Sequence, residues 1–244
     1  MKLHVLGSSS AGNCYLITDS RNQTLIIEAG IEFIKVERAL KWDVRNVVGT
    51  IITHTHNDHA KYVCHHLDAG VPTFAHKSVF ENRKIKNVFA RPQEDGVWTA
   101  EIGPYKVKAL PVEHDVPCYC FLIHHREGKI FFVTDTMYCG HNRQGYLLPS
   151  CDLALLEANY DDYTLNRNID EGITEAGMVP RLKLSHMEFG TTKELIRTRE
   201  GRVGKIVLTH LSAKNSERLR YISEVQEMSA IPTYVASKNL TLDF

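Results

Sequence analysis

Thr53-His54-Thr55-His56-Asn57-Asp58-His59 places three imidazoles and a carboxylate within one short stretch. The apolar, β-branched run Val47 to Ile52 leads into it, so the cluster sits where a strand ends. In the extended part His54 and His56 are two apart and share a face. His59 follows His56 by three, a spacing that a tight turn or a first helical turn brings round to the same side. The residues from Ala60 to Ala69 suit a helix. One small ion cannot conveniently take this many ligands from one segment, so the spacing predicts two neighbouring metal ions that divide them. A polar loop that happens to be histidine-rich is the bland alternative, and four ligand groups at this spacing weigh against it.

Working outward, three later strand ends carry the same residue types. Pro111-Val112-Glu113-His114-Asp115 puts a histidine just beyond a strand, and Val133-Thr134-Asp135-Thr136 ends another on a carboxylate. Leu208-Thr209-His210-Leu211-Ser212 repeats the order of β-run, Thr and His seen at Ile52-Thr53-His54. Strands fix position while the loops beyond them leave room for a substrate. Each of these residues alone reads as structural; with the opening cluster they complete a pair of metal sites.

The chain has 244 residues, 43% hydrophobic and 24% charged, enough for a sizeable core. Lys and Arg number 29 against 29 Asp and Glu, so net charge predicts no polyanionic partner. No apolar run is long enough to span a bilayer, and no signal peptide stands out at the N-terminus. The six cysteines lack Cys-x-x-Cys spacing and read as reduced thiols in a cytoplasmic protein. Cys118 and Cys120, on one face of a strand, read as core. His4, His65, His66, His76, His124, His125 and His141 also read as structural.

Strands are expected at Leu3 to Leu6, Cys14 to Thr18, Thr24 to Glu28, Val47 to Ile52 and Val71 to Ala75. More follow at Tyr105 to Ala109, Tyr119 to His124, Lys129 to Thr134, Leu153 to Leu156, Lys205 to Thr209 and Thr233 to Ala236. Arg126-Glu127-Gly128 is a hairpin signal. Amphipathic helices are expected at Ile31 to Leu40 and Ser216 to Met228. With no repeat and no linker, residues 1–244 read as one α/β or α+β domain.

The order His-x-His-x-Asp-His, then His114, Asp135 and His210, resembles the metallo-β-lactamase-fold hydrolases over nearly the whole chain. The resemblance implies an α+β fold of αββα type, two mixed β-sheets flanked by helices with the metals at one edge. It implies one ion on His54, His56 and His114, a second on Asp58, His59 and His210, and Asp135 bridging them. The family usually has Asp before Ala-Gly in its first motif, where this chain has Glu28-Ala29-Gly30; that carboxylate is expected to support the loops. Leu156-Glu157-Ala158-Asn159-Tyr160 and Ser185-His186-Met187-Glu188 look like the Glu and His motifs of the phosphodiesterase branch. There Glu157 would orient His186, which would stabilise or protonate the leaving oxygen. Gly7-Ser8-Ser9-Ser10-Ala11-Gly12-Asn13-Cys14, Thr134-Asp135-Thr136 and Thr209-His210-Leu211-Ser212 look most like the YycJ/WalJ-like group, associated with exonuclease action on DNA.

The expected function is therefore a dinuclear metal-dependent phosphodiesterase acting on nucleic acid, DNA ahead of RNA, with Asp58, Glu157 and His186 as catalytic groups. The alternatives are an RNA-processing nuclease or a small-molecule hydrolase of a thioester, lactone or lactam, since one fold hosts many chemistries. Mixed His and carboxylate ligands suit zinc or manganese, and iron as well. The excess of Lys and Arg from Arg181 to Arg220 reads either as a grip on phosphates or as a solvated helical face.

Overall fold

The computed structural model describes residues 1–142 and 144–244. Strands β1 (Lys2–Gly7), β2 (Cys14–Thr18) and β3 (Thr24–Ile27) form an antiparallel meander rich in β-branched and aliphatic residues. Helix α1 (Phe33–Ala39) then carries the chain over to β4 (Val47–Ile51), parallel to β3. Helices α2 (Asn57–Ala60) and α3 (Val63–Asp68) lead to β5 (Thr73–His76), and α4 (Lys77–Glu81) to β6 (Ala90–Gln93), both added in parallel.

The second half repeats this plan. Strands β7 (Trp98–Ile102), β8 (Tyr105–Val112), β9 (Cys118–His125) and β10 (Gly128–Val133) run antiparallel in series. After the small hairpin β11 (Gly140–His141) and β12 (Gln144–Gly145), β13 (Cys151–Glu157) joins β10 in parallel. Helices α5 (Asp162–Asp170), α6 (Val179–Ser185) and α7 (Phe189–Arg197) precede β14 (Val203–Thr209). Then α8 (Arg218–Ser229) leads to β15 (Thr233–Val235), while β16 (Thr241–Asp243) crosses back to pair with β1. Two seven-stranded sheets result, ordered β16-β1-β2-β3-β4-β5-β6 and β15-β14-β13-β10-β9-β8-β7.

The inner faces of the sheets meet in one apolar layer that includes Leu3, Tyr15, Ile17, Phe121, Phe132 and Leu155. The outer face of the second sheet is covered by α7 and α8 through Phe189, Ile196, Tyr221 and Val225. The first sheet is covered by Phe33 and Val36 of α1 and by Val63 and Leu67 of α3. This is the expected αββα sandwich of two mixed sheets flanked by helices.

Local differences from the sequence reading have physical causes. The expected helix over Ala60 to Ala69 is two short helices, because Tyr62 N–H turns away to the Ala29 carbonyl at 2.9 Å. The basic stretch Lys77 to Arg91 divides into α4 and the edge strand β6. Strands β6, β7 and β16 escape a periodicity search since they are short, with charged or proline residues facing outward. Helix α5 starts where Asp161 accepts the Thr164 N–H at 3.0 Å, and α7 where Glu188 accepts the Thr191 N–H at 3.2 Å.

Candidate metal centre

Beyond Ile51 the chain leaves the sheet, and the His54, His56 and His114 rings converge with centroids 4.7 to 5.0 Å apart. His114 Nε2 and His56 Nδ1 are 3.2 Å apart, and His54 Nε2 is buried with no hydrogen-bond partner among the described residues. Burial, with His59 and His114 close by, holds the His54 imidazole well below its ordinary pKa, so the ring is neutral.

A second group forms alongside. Asp58 Oδ2 lies 3.3 Å from both His59 Nε2 and His210 Nε2, and Asp135 Oδ2 lies 3.1 Å from His59 Nε2. Suitable donor atoms of Asp58, His59, Asp135 and His210 all fall within 4.8 Å of one another, as do those of His54, His56 and His114. Burial would pull His210 down, but Asp135, Asp58 and Glu157 raise it to about 10. Protons on His59 and His210 thus answer a cluster of buried carboxylates, the charge that divalent ions would otherwise balance. The unpartnered His54 nitrogen and this surplus of carboxylate fit a pair of divalent cations.

Three residues of the site bend back sharply at strand ends. Glu28 (φ 70°), Asp135 (φ 53°) and His210 (φ 52°) all lie in the left-handed region, just past β3, β10 and β14. Such strain of about 1 kcal/mol or more persists where the surroundings over-determine it, and it is concentrated at functional sites. Glu28, fully buried, takes the Thr53 hydroxyl at 2.6 Å and lies 3.2 Å from His59 Nδ1. It thus ties the strand end to Thr53 and stands beside His59.

At the other rim, Glu157 Oε1 lies 2.8 Å from His186 Nδ1 and 3.4 Å from His210 Nδ1. Burial and Asp135 push Glu157 up, yet His186 and His210 outweigh them and keep it ionised. For His186 the balance runs the other way: burial lowers it, Glu157 raises it more, and the imidazole favours its protonated form. A cavity of about 560 Å³ opens over both groups, lined by His56, Asp58, His114, Asp135, His186 and His210. All nine residues singled out from the sequence thus meet at one place.

Several supporting residues escaped the sequence reading. Asn13 Nδ2 donates to the Asp58 carbonyl at 3.2 Å and lies 3.1 Å from His59 Nε2. Ser8 Oγ accepts the His210 N–H at 2.9 Å, and Asn159 Nδ2 donates to the His210 carbonyl at 2.8 Å. Arg83, in the turn after α4, reaches the Thr55 carbonyl at 2.7 Å and its hydroxyl at 2.8 Å. Asp115, half-exposed, holds Oδ1 3.1 Å from His114 Nε2 and 3.3 Å from His56 Nε2. Cys118 Sγ packs 3.7 Å from His54 Nδ1, where burial keeps the thiol protonated. Ser8, Asn13, Asp115 and Asn159 stood in quoted motifs without a role and Cys118 was read as core; Arg83 carries only a long-range signal.

Of the basic residues between Arg181 and Arg220, Arg181 lines the cavity. Lys183 pairs with Asp162, Lys193 with Glu224, and Arg220 with Asp161 and Glu224. That stretch is largely a solvated, self-neutralised helical surface. A further cluster of Asp19, His125 and Glu127 lies away from the site. Its histidine accepts the Glu127 N–H at Nδ1, and its Nε2 stands 3.4 Å from Asp19 Oδ2.

Comparison with known proteins places this geometry. The chain is 25% identical over 240 residues to exodeoxyribonuclease WalJ of Streptococcus pneumoniae, covering 93% of this chain and 88% of that one. It is 27% identical over 182 residues to exodeoxyribonuclease YycJ of Bacillus anthracis, covering 66% and 64%. The fold superposes on the metallo-β-lactamase fold protein YhfI of Bacillus subtilis with a TM-score of 0.75 at 17% identity, over 99% of each chain. Residues 23–211 match the family described as the Beta-lactamase superfamily domain. With that match spanning most of its length, the chain belongs to the β-lactamase superfamily, as a metal-dependent hydrolase of the metallo-β-lactamase fold.

Proposed function

We propose that this chain, acting as one domain, is a dinuclear phosphodiesterase that hydrolyses nucleic acid, as an exonuclease on DNA ahead of RNA. The observation that carries the reading is the pairing of buried Glu157 with the partly exposed His186 beside the histidine and carboxylate clusters. The names of the WalJ and YycJ relatives support the same direction. In this reading His54, His56 and His114 hold one divalent ion, Asp58, His59 and His210 hold the other, and Asp135 is shared. Zinc or manganese suits the donor set, and iron also fits it.

Bound ions would neutralise phosphate charge and lower the pKa of a nearby water to around 7. The rest falls to the protein. Asp58 uses one oxygen among the ligands and keeps the other to accept a hydrogen bond that orients the attacking water, whose oxygen bonds to phosphorus as its proton passes to solvent. The ester P–O bond breaks with its electron pair on the leaving oxygen, which takes the proton from His186 Nε2. Glu157, on Nδ1, fixes the tautomer that makes Nε2 the donor and raises its basicity. Arg181 adds a cation at the cavity mouth for the phosphate chain.

Duplex DNA, single-stranded DNA, RNA, a chromogenic phosphodiester and a thioester should be offered side by side with Zn²⁺, Mn²⁺ and Fe²⁺. DNA should be cleaved fastest. Asp58→Ala should abolish cleavage in a folded protein, and His186→Ala should slow it ~10²–10⁴-fold with metal content intact. Faster turnover of the thioester than of any phosphodiester would replace this reading with the small-molecule one.

A further inference from the structure

Beside the catalytic cavity lies a second one, of about 490 Å³, bounded by the segment from Gly172 to Leu182 and the loop after His210. The two share His186 and His210 below and Met178 and Leu182 above. His186 therefore stands at the boundary between them, and the second cavity begins where a leaving group would depart. Its walls mix polar side chains (Thr174, Ser212, Lys214 and Asn215) with aliphatic ones. Leu165, Ile173, Val179 and Leu211 face it, and Ile173 and Met178 are 44% and 61% exposed despite being apolar. Its volume is in the range of sites that take one small molecule.

One polar group in its lining is built for a ligand. Asn215 is only 5% exposed. Its Oδ1 accepts from Asn168 Nδ2 and from the Thr174 hydroxyl, each at 2.9 Å. Asn168 spends its other amide hydrogen on the Lys214 carbonyl at 2.8 Å, so the orientation of the Asn215 amide is determined by its neighbours. Asn215 lines the cavity, and its Nδ2 makes no hydrogen bond to the described residues.

We propose that this cavity seats the base of the nucleotide whose oxygen leaves, so that the enzyme releases its product one nucleotide at a time. The proposal rests on the phosphodiesterase reading above. A nucleobase is a flat apolar face with hydrogen-bond acceptors on its edge, matching aliphatic side chains beside an oriented amide donor. Purine N3 and pyrimidine O2 offer an acceptor at equivalent positions in every base, so one amide N–H can hold any of the four without choosing among them. The base docks while His186, at the cavity boundary, meets the leaving oxygen of the same nucleotide. A cavity for one base measures a single nucleotide from the end, which is what an exonuclease needs and an endonuclease does not.

The test compares two labelled DNA strands, one with an ordinary terminal nucleotide and one whose terminal residue lacks its base, in the wild type, Ile173→Trp and Asn215→Asp. Ile173→Trp fills the cavity from its exposed rim, and Asn215→Asp keeps Oδ1 while replacing the donor with an acceptor. The wild type should favour the base-bearing end at least tenfold in kcat/KM and release mononucleotides. In both variants the preference should fall to near one, and inhibition by thymidine monophosphate should weaken toward that by inorganic phosphate. An unchanged preference in both variants, or release of longer fragments, would overturn the base seat while leaving the phosphodiesterase intact. A wild type that hydrolyses no phosphodiester would remove both.

Discussion

Gly30 touches the metal centre without supplying a ligand, and replacing it by alanine tests how the ligand turn is held. A Cβ there would stand 1.7 Å from the Asp58 carbonyl oxygen, 2.5 Å from its carbon and 2.7 Å from Asn13 N. Such contacts under 3.0 Å are essentially never found, so the turn carrying Asp58 and His59 must retreat by about 1.3 Å. The retreat strains the Asn13 N–H to Asp58 bond, now 2.8 Å, and the Ala29 N–H to His59 bond, now 2.7 Å. Overpacking of this kind costs about 1–3 kcal/mol, which a domain of this size survives with Tm lowered by roughly 2–12 °C. Function should suffer far more, because a displacement of ~1 Å at reacting groups costs on the order of 10²-fold in rate. Gly145→Ala is the control, since its Cβ would meet nothing nearer than 3.9 Å. Circular dichroism melts, metal content after dialysis and the DNA assay give the three readouts. Gly30→Ala with wild-type metal content and activity within twofold would refute the idea that this contact positions Asp58 and His59.

Arg83→Ala removes the clamp on Thr55; metal affinity should fall ~10–100-fold in a competition titration with a chelating dye, with little change in Tm. Chelation should destabilise the protein, because ligands from both sheets would lose a shared cation; at metal concentrations ~100 times Kd the loss is about 2.7 kcal/mol, seen as a Tm lower by roughly 5–10 °C. Burial lowers His66, away from the metals, from 6.5 to about 3. A histidine with a depressed folded pKa adds stability that is full above 6.5 and is lost as pH falls toward 3. At pH 5 the loss is about 2 kcal/mol. His66→Gln, compared in urea at pH 7.5 and pH 5, should therefore lose about 2 kcal/mol less than the wild type on acidification.

The centre was legible because its ligands are marked by type and by place. His54, His56, Asp58 and His59 follow one strongly β-branched strand, and His114, Asp135 and His210 each follow another. Periodicity finds such strands, and ligand-type residues just beyond them are few. Glu157 and His186 needed a resemblance to be noticed, since neither a buried Glu nor a His after a short helix is unusual alone. Arg83 gave no signal, and the roles of Ser8 and Asn159, though both stand in quoted motifs, were hidden because each acts on a backbone atom far away in sequence. Charge counting left two readings open for a related reason: Lys193 and Arg220 look available in one dimension, and the fold supplies Glu224 and Asp161 as partners.

The two halves of the chain explain why the metal centre and the substrate differ in legibility. Each half runs an antiparallel meander into parallel strands, and the site lies where the forward ends of β3, β4, β8, β10, β13 and β14 converge. Glu28 and the His54 to His59 turn come from one sheet; His114, Asp135, Glu157 and His210 come from the other. The centre is assembled only when the apolar layer between the sheets closes, so its geometry inherits the precision of the core. What surrounds the leaving side is of another kind. From Gly172 to Leu182 the chain forms no strand and hangs over the site on short helices, with Ile173 and Met178 turned outward. No periodicity governs such a segment, and its apolar residues look like ordinary surface noise until the fold sets them against Asn215. A superfamily can keep the strand ends and change this covering to alter its substrates, which is why the chemistry can be read along the chain and the choice of substrate needs the cavity beside His186.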